Sequence, residues 1–240
     1  MKIDKLFVLL TIFFVSFTNM TVVYALDKQS QIMSSYKKDV TGDHHPEQVQ
    51  VIKEGQKVKL VVNTGNYKAY SFSLGAAKKV KLIFQDLTQD RVKDIFLTSF
   101  NKNSNQVLNL LVAYENGEIS NVSLPETLDI TAQFENNYQA SIKINQTKQS
   151  YMVNLLNYKG QLEKTGVYHN GALNEPTELM VSELTSLHII RHKDLSLGLK
   201  GRQFVDDGYG GAKFAYVDST WKRINANWEL QKTTVRKIQY

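Results

Sequence analysis

Two short segments of the chain carry acidic and hydroxyl side chains at the same spacing. Both read Asp-x-Thr-x-Asp-x-x-x-acid and are followed by a β-type run. The candidate oxygen ligands are Asp39, Thr41, Asp43, Glu47, Asp86, Thr88, Asp90 and Asp94. Oxygens at the first, third, fifth and ninth positions of a tight loop can converge on one Ca²⁺ ion, which takes six to eight oxygen ligands. The spacing therefore predicts two calcium loops.

A second interpretation of these segments needs no metal. An aspartate at the start of a turn can accept hydrogen bonds from backbone N–H groups that follow it, and such an Asx turn can lead into a strand. Arg91 also places a positive charge in the second segment, which disfavours a cation there. Sequence alone leaves both interpretations open, and the Asp39 segment is the better metal candidate.

The acidic segments resemble the FG-GAP and VCBS repeat family, whose blades carry Asp-x-Asn-x-Asp-Gly-x-x-Asp before a strand. The resemblance extends over about residues 35–125. It implies that tandem blades close into a β-propeller and that the eight residues named above hold calcium. The chain departs from the family pattern because threonine stands at the third position, and His44 and Arg91 replace a glycine that would permit a left-handed turn.

The whole chain after residue 25 is typical of an all-β protein. Short β-branched and aromatic runs recur about every ten residues, separated by turn residues. The first aspartates of the two acidic segments lie 47 residues apart, which is room for one four-stranded blade. We predict a propeller-like fold or partial propeller of short antiparallel meander sheets. Residues 177–188 are the exception, because Leu179, Leu184 and Leu187 have helical spacing and predict one short helix.

Cysteine usage and the N-terminus indicate the compartment. The chain has no cysteine, which excludes disulfides, thiolate zinc sites, iron–sulfur clusters and cysteine nucleophiles. Residues 1–25 have the form of a signal peptide, with two lysines, an apolar run over residues 6–17 and a final Ala25. A retained membrane anchor is the alternative, because the apolar stretch is about 20 residues long. We predict cleavage before Leu26 and an exported bacterial protein, secreted or associated with the cell envelope.

The mature chain is expected to be a single all-β domain over residues 26–240. The VCBS-like repeats would occupy about residues 35–125, and a C-terminal β region would occupy about residues 126–240. We expect this domain to be monomeric and to lack a membrane span once the signal is removed.

Basic residues are concentrated near the C-terminus. Residues 185–240 hold 10 Lys and Arg against 5 Asp and Glu. The basic residues that alternate with aromatic ones are Lys213, Lys222, Arg223, Lys232, Arg236 and Lys237. Since alternate residues of a strand share a face, a subset should face solvent and attract polyanions while the aromatic residues face inward. The alternative is a stacking platform formed by Tyr209, Phe214, Tyr216, Trp221 and Trp228.

No group of residues identifies a catalytic reaction. His188 and His192 lie four apart, but no HExxH pattern supports zinc, and the adjacent His44 and His45 are typical of a solvated turn. We predict an exported noncatalytic binding or envelope-associated module, which calcium would stabilise if it binds the acidic segments. Its expected partner is an anionic cell-wall polymer or another exported protein, and not nucleic acid. The alternative is an extracellular hydrolase that acts on polysaccharide or peptidoglycan through a carboxylate pair.

Overall fold

The computed structural model describes residues 30–65, 68–101, 107–208 and 212–238. The predicted signal peptide lies outside these residues, and so does Tyr209. Nearly all regular structure in the described ranges is antiparallel strand, so the all-β prediction is confirmed. The chain forms two compact units, the first from Met1–Gln85 with Val92–Val122 and the second from Asp86–Arg91 with Ser123–Tyr240.

The first unit contains two four-stranded sheets. The first sheet consists of β1 (Ser30–Lys38), β2 (Glu47–Glu54), β3 (Lys57–Asn63) and β4 (Ala69–Gly75). The second sheet consists of β5 (Lys79–Gln85), β6 (Asp94–Phe100), β7 (Val107–Glu115) and β8 (Glu118–Val122). In both sheets each strand pairs with its neighbour in sequence, as in the meander of a propeller blade. The prediction of short propeller-like meanders is thereby confirmed.

Alternation along the strands builds the core of this unit. On β2, Val49 and Val51 are fully buried, whereas Gln48 is exposed. The same period of two on the other strands gives one core to which both sheets contribute, since successive strand residues point to opposite faces. Its members include Val58, Leu60, Val62, Leu74, Ile95, Leu97, Val112 and Ile119.

The two acidic segments occupy equivalent places in these meanders. Asp39 directly follows β1, and Glu47 is the first residue of β2. Asp86 directly follows β5, and Asp94 is the first residue of β6. Each segment therefore joins the first strand of a four-stranded sheet to the second.

The second unit contains three sheets and the one α-helix of the described residues. The three-stranded sheet consists of β9 (Ile130–Glu135), β10 (Gln139–Ile144) and β11 (Gln149–Asn154). A 3₁₀ turn (Leu156–Tyr158) and α1 (Lys159–Lys164) follow, and then the short hairpin β12 (Tyr168–His169) and β13 (Ala172–Leu173). The last sheet, called here the C-terminal sheet, consists of β14 (Met180–Val181), β15 (Ser186–Arg191), β16 (Leu197–Asp206), β17 (Lys213–Ile224) and β18 (Asn227–Lys237).

The helix predicted over residues 177–188 is wrong, because this segment runs extended beside other strands. Its backbone N–H groups bond to neighbouring strands: Leu179 donates to Ala132 O, Ser182 to Phe204 O and Thr185 to Arg202 O, each at 2.9 Å. A helix would instead bond each N–H to the carbonyl four residues earlier. The helical spacing was misleading because Met180, part of that apolar pattern, is 59% exposed. No helix in the described ranges is long and apolar enough to cross a membrane.

Candidate functional site

The first acidic turn is closed by hydrogen bonds from its own backbone. Asp39 Oδ1 accepts the N–H groups of Gly42 at 2.7 Å and Thr41 at 3.3 Å, and its Oδ2 accepts the N–H of His44 at 3.1 Å. Burial alone would raise the pKa of Asp39, but these hydrogen bonds outweigh it and lower the pKa below its usual value. The carboxylate therefore stays ionised and organises the turn.

Glu47 closes the same turn from its other end. Its side chain is buried, with 3% of the residue exposed, and it accepts the N–H of Val40 at 2.8 Å and the hydroxyl of Thr41 at 3.1 Å. Asp43 accepts the N–H of His45 at 2.7 Å. Thr41 thus donates within the turn, and Glu47 uses one oxygen for each of its two donors.

The second acidic turn is also closed by hydrogen bonds to its first aspartate. Asp86 Oδ1 accepts the N–H of Asp90 at 3.1 Å, and Oδ2 accepts the N–H of Arg91 at 3.0 Å. Left-handed φ angles occur at the fourth and sixth positions of both turns, at Gly42 (+78°) and His44 (+65°) and at Gln89 (+64°) and Arg91 (+74°). Thr88 lies in this second turn, and Asp94 is a buried residue of the first unit.

These contacts test the interpretation of the acidic segments as Asx turns. The hydrogen bonds to Asp39 and Asp86 confirm that both segments are Asx-type turns. Within the four described ranges, no three acidic or histidine side chains are grouped so that they could hold a metal ion. Calcium binding by these turns stays a prediction.

One face of the C-terminal sheet carries charged and polar side chains in rows that run across the strands. Directly paired residues of antiparallel strands project to the same side. The rows on this side are His188, Lys200, Thr220 and Lys232; Ser186, Arg202, Asp218 and Thr234; and Phe204, Tyr216 and Arg236. We call these eleven residues the outer face. The opposite side carries buried residues such as Leu199, Val217 and Trp221, so the alternation of the strands separates a core side from a charged side.

The centre of the outer face is one carboxylate shared by two cations. Arg202 donates from Nε to Asp218 Oδ1 at 2.6 Å and from Nη2 to Oδ2 at 3.0 Å, and Lys200 Nζ lies 2.8 Å from Oδ2. The Asp218 side chain is only 6% exposed. Its burial would raise its pKa, but the two cations outweigh that effect and lower it. Asp218 is therefore ionised, and one positive charge of the cluster is left uncompensated.

Cations cover the aromatic rings of the outer face. The Arg202 guanidinium lies 3.7 Å from the centroid of Tyr216, and Lys213 Nζ lies 4.1 Å from that of Phe204. Both arrangements are cation–π contacts. The face therefore presents guanidinium and ammonium groups to solvent where an open platform would present bare rings.

The structure divides the aromatic residues proposed for a stacking platform. Phe214 and Trp221 are buried in the core of the second unit. Trp228 is half-buried and donates its indole N–H to Ser123 O at 2.7 Å. Tyr216 lies on the outer face, contrary to the expectation that the aromatic residues turn inward.

The structure also corrects the set of basic residues. Arg223 is buried, and Lys237 pairs with the buried Ala215, so neither belongs to the outer face. Lys222 is balanced by an ion pair with Asp194 and is registered opposite Glu229. Lys232 and Arg236 are exposed members of the face, as predicted.

Sequence reasoning missed Lys200 and Arg202, which form the centre of this face. The available signal was the alternation Lys200, Arg202, Phe204, which matches the period of a strand with one polar side. His188 was considered only with His192 on a helix. Both lie on or beside strand β15 instead, and His188 is registered opposite Lys200.

A cleft of about 540 Å³ lies elsewhere in the second unit, beside β9. Three glutamates line it, Glu135, Glu175 and Glu178. Glu135 accepts hydrogen bonds from Gln133 Nε2 at 2.7 Å and Ser141 Oγ at 2.8 Å, and these lower its pKa. This is the cleft at which a hydrolytic carboxylate pair could be sought.

A family model described as the YybI C-terminal domain matches residues 128–236. The match begins just before β9 and covers all of the C-terminal sheet except the end of β18. Both acidic turns precede it, so the resemblance to FG-GAP and VCBS repeats stays a prediction. No curated protein and no solved structure matches the chain. The chain is thus similar to this family over the part that carries the outer face.

Proposed function

We propose that this protein is an exported, noncatalytic binding module that holds an anionic polymer of the cell envelope on its outer face. The carrying observation is the charge of that face: among its eleven residues four cations, Lys200, Arg202, Lys232 and Arg236, stand against the carboxylate of Asp218, and the adjacent row adds one further pair of opposite charges, Asp206 opposite Lys213. Export is inferred from residues 1–25, whose pattern is that of a signal peptide. Wall polymers that carry phosphate are the anions such a protein meets outside a single-membrane cell.

The spacing of the cations favours a repeating anion. Neighbouring strands lie about 4.8 Å apart, and alternate residues of one strand lie about 6.8 Å apart. The four cations therefore lie at regular spacings, so that they can contact several anionic groups of one polymer at the same time. Linked contacts raise the overall affinity without any single strong site, so a polymer should bind much more tightly than its monomer.

Co-sedimentation with purified cell walls tests this function. The wild type should sediment with walls at low salt and be released near 1 M salt, where the Debye length falls to about 3 Å. Lys232→Glu/Arg236→Glu should abolish sedimentation, because both residues are exposed and belong to the outer face. The matched control is Lys79→Glu/Lys81→Glu, which changes the net charge equally at exposed positions of β5 and should sediment as the wild type does.

Two further sedimentation experiments identify the ligand. Walls stripped of their phosphate polymers should lose the protein, and vesicles with anionic headgroups should compete only weakly. If stripped walls bind equally well, or if the outer-face variant binds like the wild type, the proposed function is wrong. Preferential binding to the vesicles would assign the face to a membrane surface instead.

The competing function is hydrolysis of polysaccharide or peptidoglycan. The observation that favours it is the cleft lined by glutamates. Glu135 is held ionised there, as a nucleophile or base would be. Release of reducing ends or muropeptides by the purified protein, lost in Glu135→Gln and Glu175→Gln, would establish that activity. We expect no such release.

A further inference from the structure

A second cleft lies in the first unit, against the first acidic turn. Its volume is about 510 Å³, within the range of about 300–1,000 Å³ typical of small-ligand sites. One side is formed by the turn, with Asp43 and His45. The other side carries Tyr70 of β4 and Tyr114 of β7. None of the residues that line it belongs to the outer face.

Two tyrosines line the cleft. Tyr70 and Tyr114 are half-buried and pack against the apolar core of the first unit. Both rings are thus anchored, but Lys68 Nζ lies over the ring of Tyr70, so Tyr114 is the aromatic surface proposed to receive a ligand. An aromatic ring has a negative face that attracts polarised C–H groups, and the axial C–H groups of a sugar ring are of this kind.

The charges of the cleft do not favour an anion. Lys68, which also lines it, lies 3.0 Å from Glu118 Oε1 and 5.0 Å from the centroid of Tyr70, and its pKa is raised by hydrogen bonds with Tyr70 and Glu118. Its positive charge is therefore already compensated. Among the described residues that line the cleft, Lys68 is the one lysine or arginine.

Asp43 and His45 supply polar groups that are open to a ligand. Their side chains are 59% and 87% exposed, respectively. A carboxylate oxygen can accept more than one hydrogen bond, so Asp43 can receive a ligand hydroxyl in addition to the backbone N–H of His45. An aromatic surface, a carboxylate and an imidazole together suit a neutral ligand with many hydroxyl groups.

We infer that this cleft binds a neutral saccharide, with the sugar ring against Tyr114 and its hydroxyls donated to Asp43. This inference does not rest on anion binding by the outer face. The two surfaces would bind different chemical groups, a sugar ring in the first unit and repeated negative charges in the second.

Titration of the purified, ¹⁵N-labelled protein with the β-1,4-linked tetramer of N-acetylglucosamine tests the inference, with cellotetraose in parallel. At least one of the two should bind at millimolar concentration or below and shift the amide signals of Thr64, Gly65 and Gly117, which line the cleft. Saturation should be unaffected by 1 M salt, unlike binding to the outer face.

Two variants and their matched controls locate the effect. Asp43→Asn keeps an oxygen for the His45 N–H but loses the charge, and affinity should fall about tenfold, since a hydrogen bond to a charged group is stronger than one to a neutral group. Glu126→Gln, at an exposed carboxylate elsewhere, should bind normally. Tyr114→Ala should abolish binding, whereas Tyr151→Ala on β11 should not.

Melting curves identify any variant that fails to fold, and Asp43→Asn then decides the outcome alone. Absence of binding by the wild type to both saccharides, signal changes away from the cleft, or unchanged affinity in Asp43→Asn would each overturn the inference. None of these results would bear on wall binding by the outer face.

Discussion

The first acidic turn and the outer face use charge in opposite ways. In the turn, Asp39 and Glu47 accept hydrogen bonds from the chain's own N–H and hydroxyl groups. On the outer face, Asp218 compensates part of the charge of Lys200 and Arg202, while Lys232 and Arg236 point to solvent. The difference separates a structural role for charge from a recognition role: Asp39 and Glu47 are matched with donors of the turn itself, and the face keeps an excess of one sign.

The largest expected effect belongs to the turn. Glu47→Ala removes a buried acceptor from the N–H of Val40 and the hydroxyl of Thr41, and the free energy of unfolding should fall by about 3 kcal/mol. Urea denaturation measures this difference. Lys232→Ala on the exposed outer face is the comparison and should change stability by less than about 0.5 kcal/mol. Equal effects of the two substitutions would remove the distinction between the regions.

Asp218 of the outer face also stabilises the fold, and its expected contribution is smaller than that of Glu47. Asp218→Asn should lower the free energy of unfolding at neutral pH by about 2 kcal/mol, because the variant loses charged hydrogen bonds to Arg202 and Lys200. The folded pKa of Asp218 is depressed, so its stabilisation is present above the unfolded pKa of about 3.9 and is lost as pH falls through the folded pKa.

Urea titrations at several pH values therefore compare the wild type with Asp218→Asn. The gap between the two proteins should be largest at neutral pH and should close in acid. A gap that is constant from neutral to acidic pH would show that the ion pairs of Asp218 do not stabilise the fold.

Much of the fold follows from the period of the strands. The runs that contain Val49, Val58, Ile95 and Phe214 all lie in strands, because β-branched and aromatic residues alternated with polar ones. β1 was missed because its residues are exposed or half-buried along its whole length, which leaves no one-sided apolar pattern. Residues 177–188 misled for a related reason, since short extended pieces contain too few residues to display a period of two.

The candidate sites were harder to predict than the strands. The repeated spacing around Asp39 and Asp86 correctly identified two similar turns. An aspartate at such a position can bind a metal ion or accept a backbone N–H, and the hydrogen bonds in the structure are needed to identify the second role. The outer face depends on which residues of different strands stand opposite one another. Register places Arg202 beside Asp218 and Lys200 beside His188, and no single-strand pattern contains that information.

His188 should report directly on anions that bind the outer face. Its pKa is lowered by burial and by the neighbouring Lys200 and Arg202, with Asp218 opposing them. A bound polyanion adds negative charge and should raise this pKa, so binding takes up a proton and strengthens as pH falls. Between about pH 8 and 5.5 the affinity for a phosphate polymer should rise about threefold.

The pH series is measured with wild type, His188→Gln and the control His169→Gln, which replaces an exposed histidine outside the face. His188→Gln should flatten the pH dependence, and His169→Gln should leave it unchanged. If all three proteins show the same pH dependence, His188 does not sense the bound polymer.

Among the expected stability effects that of calcium should be the smallest, and it tests the turn. Carboxylates at the first turn repel one another, so Ca²⁺ that binds only the folded protein stabilises it by mass action, by about 1.4 kcal/mol at ten times its dissociation constant. Melting in chelator and in millimolar calcium measures the effect, and Asp43→Ala should abolish the part due to the first turn. Identical curves for the wild type would contradict calcium binding by the first turn.

The most direct test of the contrast between turn and face is an NMR map of a bound polyanion. A soluble glycerol-phosphate polymer is titrated into the ¹⁵N-labelled protein at low salt and again near 1 M salt, where screening shortens the Debye length to about 3 Å. Amide signals of Lys200, Arg202, Lys232 and Arg236 should shift at low salt and return at high salt, while those of Asp39 and Gly42 stay unchanged. Shifts centred on the acidic turn, or no shifts on the outer face, would contradict the account.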